Sequence, residues 1–196
     1  MENFIQRLDL QGSGIWFPLI MGTIALAFVI LMPKRQLKWR GIYLTFGVIG
    51  YVAVMLDVFF VGEYLDVFDI GDPYLEGIGD LMSYAIIPSC LAVIFLNYFN
   101  QSQKWFHVTL FIVISFTFEW VLTQVGYMKL KGWQNYYSIP VYFVVYSMWL
   151  PWHLKLIQQR YDETTIPAPN KINESRFNIN KLDVGKMFSL SRKKVK

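Results

Sequence analysis

Residues 33–40 read PKRQLKWR, a short linker that carries four basic side chains and no acidic one. Residues 63–80 read EYLDVFDIGDPYLEGIGD, a second linker that carries six acidic side chains and no basic one. Apolar blocks lie before, between and after these two linkers. Lysine and arginine are retained on the cytoplasmic side of a membrane, so this alternation predicts a chain that crosses a membrane several times.

The composition agrees with a membrane protein. Of the 196 residues, 55% are hydrophobic and only 16% are charged, whereas about 25% are charged in an ordinary soluble domain. Aromatic residues make up 18%, and tryptophan and tyrosine favour the depth of the lipid headgroups. The single cysteine, Cys90, lies inside an apolar block, so we expect a buried thiol and no internal disulfide.

Hydropathy predicts five membrane spans. A spanning helix needs about 20 mostly apolar residues. Blocks of this kind occur at residues 14–32, 41–62, 78–99, 106–127 and 139–156. We therefore predict an all-α polytopic membrane protein, with a transmembrane domain over residues 1–156 and a flexible, basic cytoplasmic tail over residues 157–196.

The basic residues also predict the orientation. With the N-terminus outside, fifteen Lys and Arg residues lie on the cytoplasmic side and three lie outside, as the positive-inside rule requires. Asp9 precedes the first block and the basic cluster follows it, which favours a retained helix over a cleaved signal peptide. The tail holds nine of the basic residues; it either contacts anionic lipid or simply reinforces this topology.

Local signals refine the helix bounds. The pair Asp72-Pro73 predicts the start of the third helix, and Leu81 is the alternative start. Ser138 is predicted to cap the fifth helix. Pro88 predicts a kink in the third helix, and Pro151 predicts a bend near the end of the fifth.

Two acidic residues, Asp57 and Glu119, lie several residues from the ends of predicted spans. Such a residue costs roughly 2.5–3.5 kcal/mol at the centre of a bilayer and marks either a functional site or a buried pair. In the predicted topology both lie in the outer half of the bilayer. Ser115 and Thr123 share the helix face of Glu119, because they precede and follow it by four residues.

The sequence therefore predicts a small polar site at the outer face, which shares protons or binds a cation. Its candidate residues are Asp57, Asp80, Tyr84, Glu119 and Thr123. The alternative is that the carboxyl groups stay protonated or pair with neighbours, and only hold the helices together.

Other polar features allow a binding and a structural interpretation. The acidic linker offers oxygen ligands for Ca²⁺, but its spacing differs from that of an EF-hand, and a solvated surface is the simpler interpretation. His107 and His153 lie at similar predicted depths and could ligate one haem, but each lies beside a tryptophan, as in an interfacial belt. The sequence contains no catalytic motif, so enzymatic activity is not favoured, and we expect no cofactor and no metal ion.

Several short runs between residues 33 and 156 form a recognisable set. They are Pro33-Lys34, Ser83-Tyr84 with Pro88, Phe-Leu-Asn-Tyr-Phe at 95–99, Phe-Glu-Trp at 118–120, and Lys131-Gly132-Trp133 with Tyr136 and Tyr137. In these runs the chain resembles a family of small, uncharacterised integral membrane proteins of Bacillus- and Clostridium-like bacteria. In that family the tyrosine of the third helix usually follows a glutamate, whereas Ser83 precedes Tyr84 here. The resemblance implies a five-helix protein of the bacterial plasma membrane and no settled activity.

Two functional predictions follow from these observations. The first is a non-enzymatic membrane module or a subunit of a larger complex, because five short helices leave little room for an enclosed path. The alternative is a small oligomeric transporter or channel that moves protons or cations with Asp57 and Glu119; a membrane enzyme or haem protein ranks last. As partners we expect the lipid bilayer, other membrane proteins or further copies of the chain, and no nucleic acid, since the basic residues are concentrated in the tail.

Overall fold

A computed structural model describes residues 12–56, 65–72 and 77–164. Within these ranges the protein is mostly helical. The predictions for Asp57, for a helix start at Pro73 and for the tail beyond Thr164 lie outside the described residues. The chain divides into two compact units, Met1–Ile157 and Gln158–Lys196.

Five helices are present in the described ranges. They are α1 (Trp16–Leu31), α2 (Trp39–Met55), α3 (Ile78–Tyr98), α4 (Gln101–Gln124) and α5 (residues 138–164). Of these, α3 and α4 are long and apolar enough to cross a membrane, and α1 and α2 are apolar but shorter. The first turn of α4 is a 3₁₀ turn, Gln101–Gln103.

Two short strands correct the all-α prediction. Strand β1 (Phe68–Ile70) pairs antiparallel with β2 (Met128–Leu130), and Phe68 lies opposite Leu130. The apolar members of both strands pack on a small cluster around Tyr127 and Leu122. The two linkers that carry β1 and β2 therefore form a packed cap on the bundle. The sequence does not predict this cap, because three residues are too few to show the alternation of a strand.

Helix α3 lies at the centre of the bundle. It packs against both α1 and α2, and its side chains Cys90, Val93, Phe95 and Leu96 are completely buried. The predicted burial of the single thiol is thus confirmed. Because α3 contacts helices on several sides, it fixes the positions of the residues that line the interior.

Pro88 in α3 and Pro151 in α5 each follow a π-helical segment. In α3 the segment Leu81–Ile86 precedes Pro88, and in α5 the segment Val145–Trp149 precedes Pro151. Proline lacks an N–H group and clashes with the carbonyl of the residue four positions earlier, and a wider turn relieves that clash. The predicted kink and bend are therefore widened turns, and both segments carry residues that line the interior.

One end of the bundle is held together by Asn97, which is fully buried near the end of α3. Its Oδ1 accepts hydrogen bonds from the backbone N–H groups of Arg35 at 2.9 Å and Gln36 at 3.3 Å. Its Nδ2 donates to the carbonyl oxygen of Pro33 at 2.9 Å. The basic linker between α1 and α2 is thereby joined to the α3–α4 connection, whereas β1 and β2 join the two other described linkers.

The basic linker also caps a helix. The Lys34 Nζ atom donates to the carbonyl oxygens of Val29, Ile30 and Met32 at distances between 2.6 and 3.0 Å. A cation at a helix C-terminus satisfies terminal carbonyl groups and interacts favourably with the helix dipole. Lys34 therefore caps the C-terminus of α1, and it is also one of the basic residues from which the orientation is predicted.

The observed helix ends and caps differ from the predicted ones. Helix α4 begins at Gln101, before the predicted start at 106, and α5 continues to Thr164, beyond the predicted end at 156. The N-cap of α3 is Gly77, and Asp72 instead forms a β-bridge before the helix. The hydroxyl of Ser138 caps no helix, because it donates to a buried carboxyl group of α4.

Large apolar side chains cover the outside of the bundle. On α1 they include Ile20, Ile24, Phe28 and Leu31, whose spacing of three or four residues places them on one exposed face. Large apolar side chains are also exposed on α4 and α5, where Phe106 and Met148 are about two-thirds exposed. No charged residue occurs between residues 16 and 31 of α1. Such a continuous apolar surface is unusual for a soluble monomer.

Candidate functional site

Glu119 lies in the interior, between α4 and α5. Its side chain is buried, and each carboxylate oxygen accepts a hydrogen bond from a hydroxyl group of α5. Ser138 Oγ donates to Oε1 at 2.7 Å, and the Tyr142 hydroxyl donates to Oε2 at 2.6 Å. The two donors are four residues apart and so share one face of α5, which positions both on the same carboxyl group.

Further polar groups extend this contact in both directions. Above it, Trp133 Nε1 donates to Ser138 Oγ at 3.0 Å, so a chain of hydrogen bonds leads from the loop before α5 to Glu119. One turn below Glu119, Ser115 Oγ and the Tyr146 hydroxyl are 2.8 Å apart. The interface between α4 and α5 is thus a ladder of hydroxyl groups around one carboxyl group.

Thr123 has a different role from the predicted one. Its hydroxyl donates to the backbone carbonyl oxygen of Glu119 at 3.1 Å and accepts from Asn135 Nδ2 at 3.2 Å. These bonds tie the loop before α5 to the last turn of α4. The structure thus gives Thr123 partners other than the carboxyl group of Glu119.

Asp80 is a second buried carboxyl group, close to the cap strands. Its Oδ1 accepts from the Tyr127 hydroxyl at 2.6 Å, and its Oδ2 accepts from the backbone N–H of Gly77 at 2.7 Å. The backbone packs closely around it, because a Cβ atom on Gly71 would collide with Asp80 Oδ1. Asp80 therefore caps the start of α3 and joins it to the cap strands through Tyr127.

A cavity of about 440 Å³ lies beside Glu119. Helices α2, α3, α4 and α5 line it, together with both cap strands. Tyr84 and Glu119 both belong to its wall, whereas Asp80 and Thr123 are not among its described lining residues. Of the five predicted site residues, the structure therefore brings Tyr84 and Glu119 to one cavity, and Asp57 lies outside the described residues.

The acidic linker pairs with a lysine of the opposite linker. Lys131 Nζ lies 2.8 Å from Asp66 Oδ1 and 2.9 Å from Asp69 Oδ1. These two carboxylates raise the pKa of Lys131 above its usual value, because they stabilise the ammonium form. The described residues contain no cluster of three or more potential metal ligands, so the calcium hypothesis gains no support from them.

The two histidines bond to groups near them. His107 Nδ1 is 3.0 Å from the carbonyl oxygen of Gln103, one turn earlier in α4. His153 Nε2 is 3.3 Å from Thr45 Oγ1 and joins α5 to α2. Both contacts are typical of structural histidines.

The partners of Glu119 and Asp80 were not predicted from the sequence. Ser138, Tyr142 and Tyr146 form a polar stripe with a spacing of four residues in an otherwise apolar helix, and that spacing is a usable signal. Tyr127 follows Asp80 by 47 residues, and no local pattern connects the two. Trp133 lies in a loop, where a tryptophan carries no spacing signal at all.

No protein-family model, curated protein or solved structure matches this chain. The resemblance to the five-helix bacterial family therefore stays a prediction.

Proposed function

We propose that the chain is a five-span protein of the bacterial plasma membrane, with its N-terminus outside, and that it acts as a non-enzymatic membrane module, alone or in a larger complex. The observation that carries the proposal is the apolar outer surface of the bundle. Side chains such as Leu31, Tyr43 and Met148 are more than half exposed on three different helices. Exposure of this extent is costly in water and favourable in lipid.

The arrangement of the linkers supports the topology. Asn97 joins the basic linker to the α3–α4 connection at one end of the bundle. Strands β1 and β2 join the linkers on either side of the α3–α4 pair at the other end. Each helix from α2 to α4 thus runs from one end to the other, and the end with Lys34 and Arg35 is the cytoplasmic one by the positive-inside rule.

Two cysteine variants test this topology. Gly132→Cys places a thiol beside β2, where a Cβ atom meets no other atom within 4 Å. Ser102→Cys is nearly isosteric and lies exposed at the opposite end. With a membrane-impermeant maleimide on intact cells we expect labelling of Gly132→Cys only, and labelling of both variants after permeabilisation.

The native chain is the control, because its only cysteine is completely buried. Labelling of Ser102→Cys alone in intact cells would reverse the orientation. Recovery of the chain in the soluble fraction, or its release from membranes by alkaline carbonate, would contradict the membrane assignment altogether.

The interior supports a binding or structural module more than a conducting path. The cavity walls are mostly apolar, and both oxygens of Glu119 already accept hydrogen bonds from α5. A proton or cation path needs a succession of polar groups from one face to the other. Before the buried Asn97 near its end, α3 contributes the apolar side chains Val93, Phe95 and Leu96 to the core.

The alternative function is an oligomeric proton or cation transporter. The hydroxyl ladder from Trp133 to Tyr146 favours it, since such groups can relay protons over the outer half of the bundle. Proton and cation flux into liposomes that contain the purified chain distinguishes the two functions. The module predicts no flux above that of empty liposomes; flux that Glu119→Gln abolishes would establish the transporter.

A further inference from the structure

The cavity has the dimensions of a small-molecule site. Its volume of about 440 Å³ falls within the range of roughly 300–1,000 Å³ that is usual for ligand pockets. Along α5 it reaches from Ser138 to Leu150, which is roughly 18 Å at 1.5 Å per residue. An elongated ligand fits this shape better than a compact one.

The chemistry of the wall changes from one part to another. Most of it is aliphatic or aromatic, as with Ile49, Leu91 and Phe118. Glu119, Ser138 and Tyr142 supply the acidic and hydroxyl groups next to the outer cap, and Ser115 and Tyr146 add a pair of hydroxyl groups one turn further along. This arrangement suits a ligand with one long apolar portion and one polar group at its outer end.

The polar part holds one acidic group, Glu119, and its hydrogen-bond partners in the described part of the chain are neutral hydroxyl groups. Ser138 and Tyr142 each donate one hydrogen bond to Glu119, whereas a carboxylate can accept about four. The only salt bridges among the described residues are those of Lys131 with Asp66 and Asp69. A buried carboxylate without a cationic partner is unfavourable in a medium of low dielectric, and a cationic ligand would supply that partner.

The cavity is open on one side. Three of its lining residues, Leu56, Leu65 and Val141, are about half exposed, whereas the cap strands cover its outer end with Phe68 and Met128. In the proposed topology this side faces the acyl chains of the outer leaflet. A ligand that enters there must itself partition into lipid.

We infer that this cavity binds a lipophilic amine, with its protonated amino group on Glu119 and its hydrocarbon chain along α5. The ammonium group donates charge-assisted hydrogen bonds to the acceptor positions that Ser138 and Tyr142 leave open. The hydrocarbon chain of the ligand lies against a wall that is mostly apolar, and Ser115 and Tyr146 already satisfy each other there by a hydrogen bond. The inference rests on the proposed function, since entry from the bilayer requires the chain to span it.

Photo-crosslinking tests the inference on the purified full-length chain in detergent. The probe is hexadecylamine with a diazirine on its chain, and the competitors are hexadecylamine, hexadecanol and hexadecanoic acid at equal concentration. We expect labelled peptides from the cavity wall, above all from α3 and α4 near Leu91 and Phe118. Hexadecylamine removes this labelling, and the alcohol and the acid do not.

Three variants complete the test. Glu119→Gln keeps the size of the side chain but removes its charge, and we expect it to weaken labelling by about tenfold or more, as loss of a hydrogen bond to a charged group does. Asp66→Asn removes an exposed carboxylate of the same charge and leaves labelling unchanged. Val141→Trp blocks the open side at an exposed position, which keeps the test decisive if Glu119→Gln fails to fold.

Equal competition by hexadecanol, or labelling that Glu119→Gln and Val141→Trp leave unchanged, would overturn the inference. Labelling confined to the outer surface of the bundle would do the same. The topology experiment separates the two proposals, because a chain that shows the expected maleimide pattern but binds no amine refutes this inference alone. A chain that fails the topology experiment refutes the proposed function.

Discussion

Asp80 and Glu119 are both buried carboxyl groups, and each accepts a hydrogen bond of 2.6 Å from a tyrosine hydroxyl. Their surroundings differ. Around Asp80 the backbone packs so closely that Gly71 has no room for a Cβ atom, whereas Glu119 borders a cavity. Asp80 is thus a carboxyl group that holds the cap strands to the bundle, whereas Glu119 has space beside it for a ligand.

The largest effect is expected from Asp80→Ala. The variant removes the hydrogen bonds that Asp80 accepts from the buried Tyr127 hydroxyl and from the partly buried Gly77 N–H group, and loss of such an acceptor costs about 1–3 kcal/mol. We expect a loss of about 3 kcal/mol in the free energy of unfolding, measured by denaturant titration in detergent micelles. A loss below about 0.5 kcal/mol would mean that Asp80 is not a fastening point.

Gly71→Ala tests the close packing around Asp80 by a different route. Gly71 has a φ of +65°, and an added Cβ would collide with the Asp80 carboxyl group. We expect a loss of about 2 kcal/mol, because strain and collision add. Gly132→Ala is the matched control, since open space surrounds that glycine; equal losses in the two variants would refute the packing argument.

Glu119→Gln is expected to cost less than about 1 kcal/mol of stability. The glutamine carbonyl still accepts one hydrogen bond, and its amide group can donate to the other hydroxyl, so neither Ser138 nor Tyr142 is left without a partner. The same denaturant titration measures the loss. A loss of stability as large as that of Asp80→Ala would show that Glu119, like Asp80, mainly holds the fold together. The contrast between the two carboxyl groups would then disappear.

Lys131→Met is expected to have the smallest effect, because the ion pair with Asp66 and Asp69 is exposed to solvent. The folded protein raises the pKa of Lys131 above the usual 10.5. The ion pair of Lys131 therefore contributes its whole stabilisation below about pH 10.5, the pKa of lysine in the unfolded chain. That stabilisation is lost as the pH rises further and the folded Lys131 loses its proton. The difference in Tm between wild type and Lys131→Met is expected to shrink above that pH; a difference that grows would contradict the assigned pairing.

The sequence predicts the helices better than it predicts their partners. Long apolar blocks place α1 and α3 within a few residues of their observed ends, since the spans are bounded by polar linkers. The sequence predicts Asp72 as the N-cap of α3, whereas Asp80 supplies the acceptor at the start of that helix. The sequence also predicts Ser138 as a cap of α5, whereas its hydroxyl donates a hydrogen bond to the carboxyl group of Glu119 in α4.

The cap and the cavity show why the rest could not be predicted. Phe68 pairs with Leu130 across a long stretch of chain, and three residues are too few to establish a strand period. The cavity arises where α2 and α5, joined through Thr45 and His153, leave space between them. Such a space depends on the packing of whole helices, and no residue spacing encodes it.

The most direct test of the difference between the two carboxyl groups is the shift in Tm that hexadecylamine produces. A ligand that binds only the folded state raises stability with its concentration. We predict that hexadecylamine raises the Tm of the wild type and of Asp66→Asn, and leaves that of Glu119→Gln unchanged. An equal rise in all three proteins, or no rise in the wild type, would contradict the account.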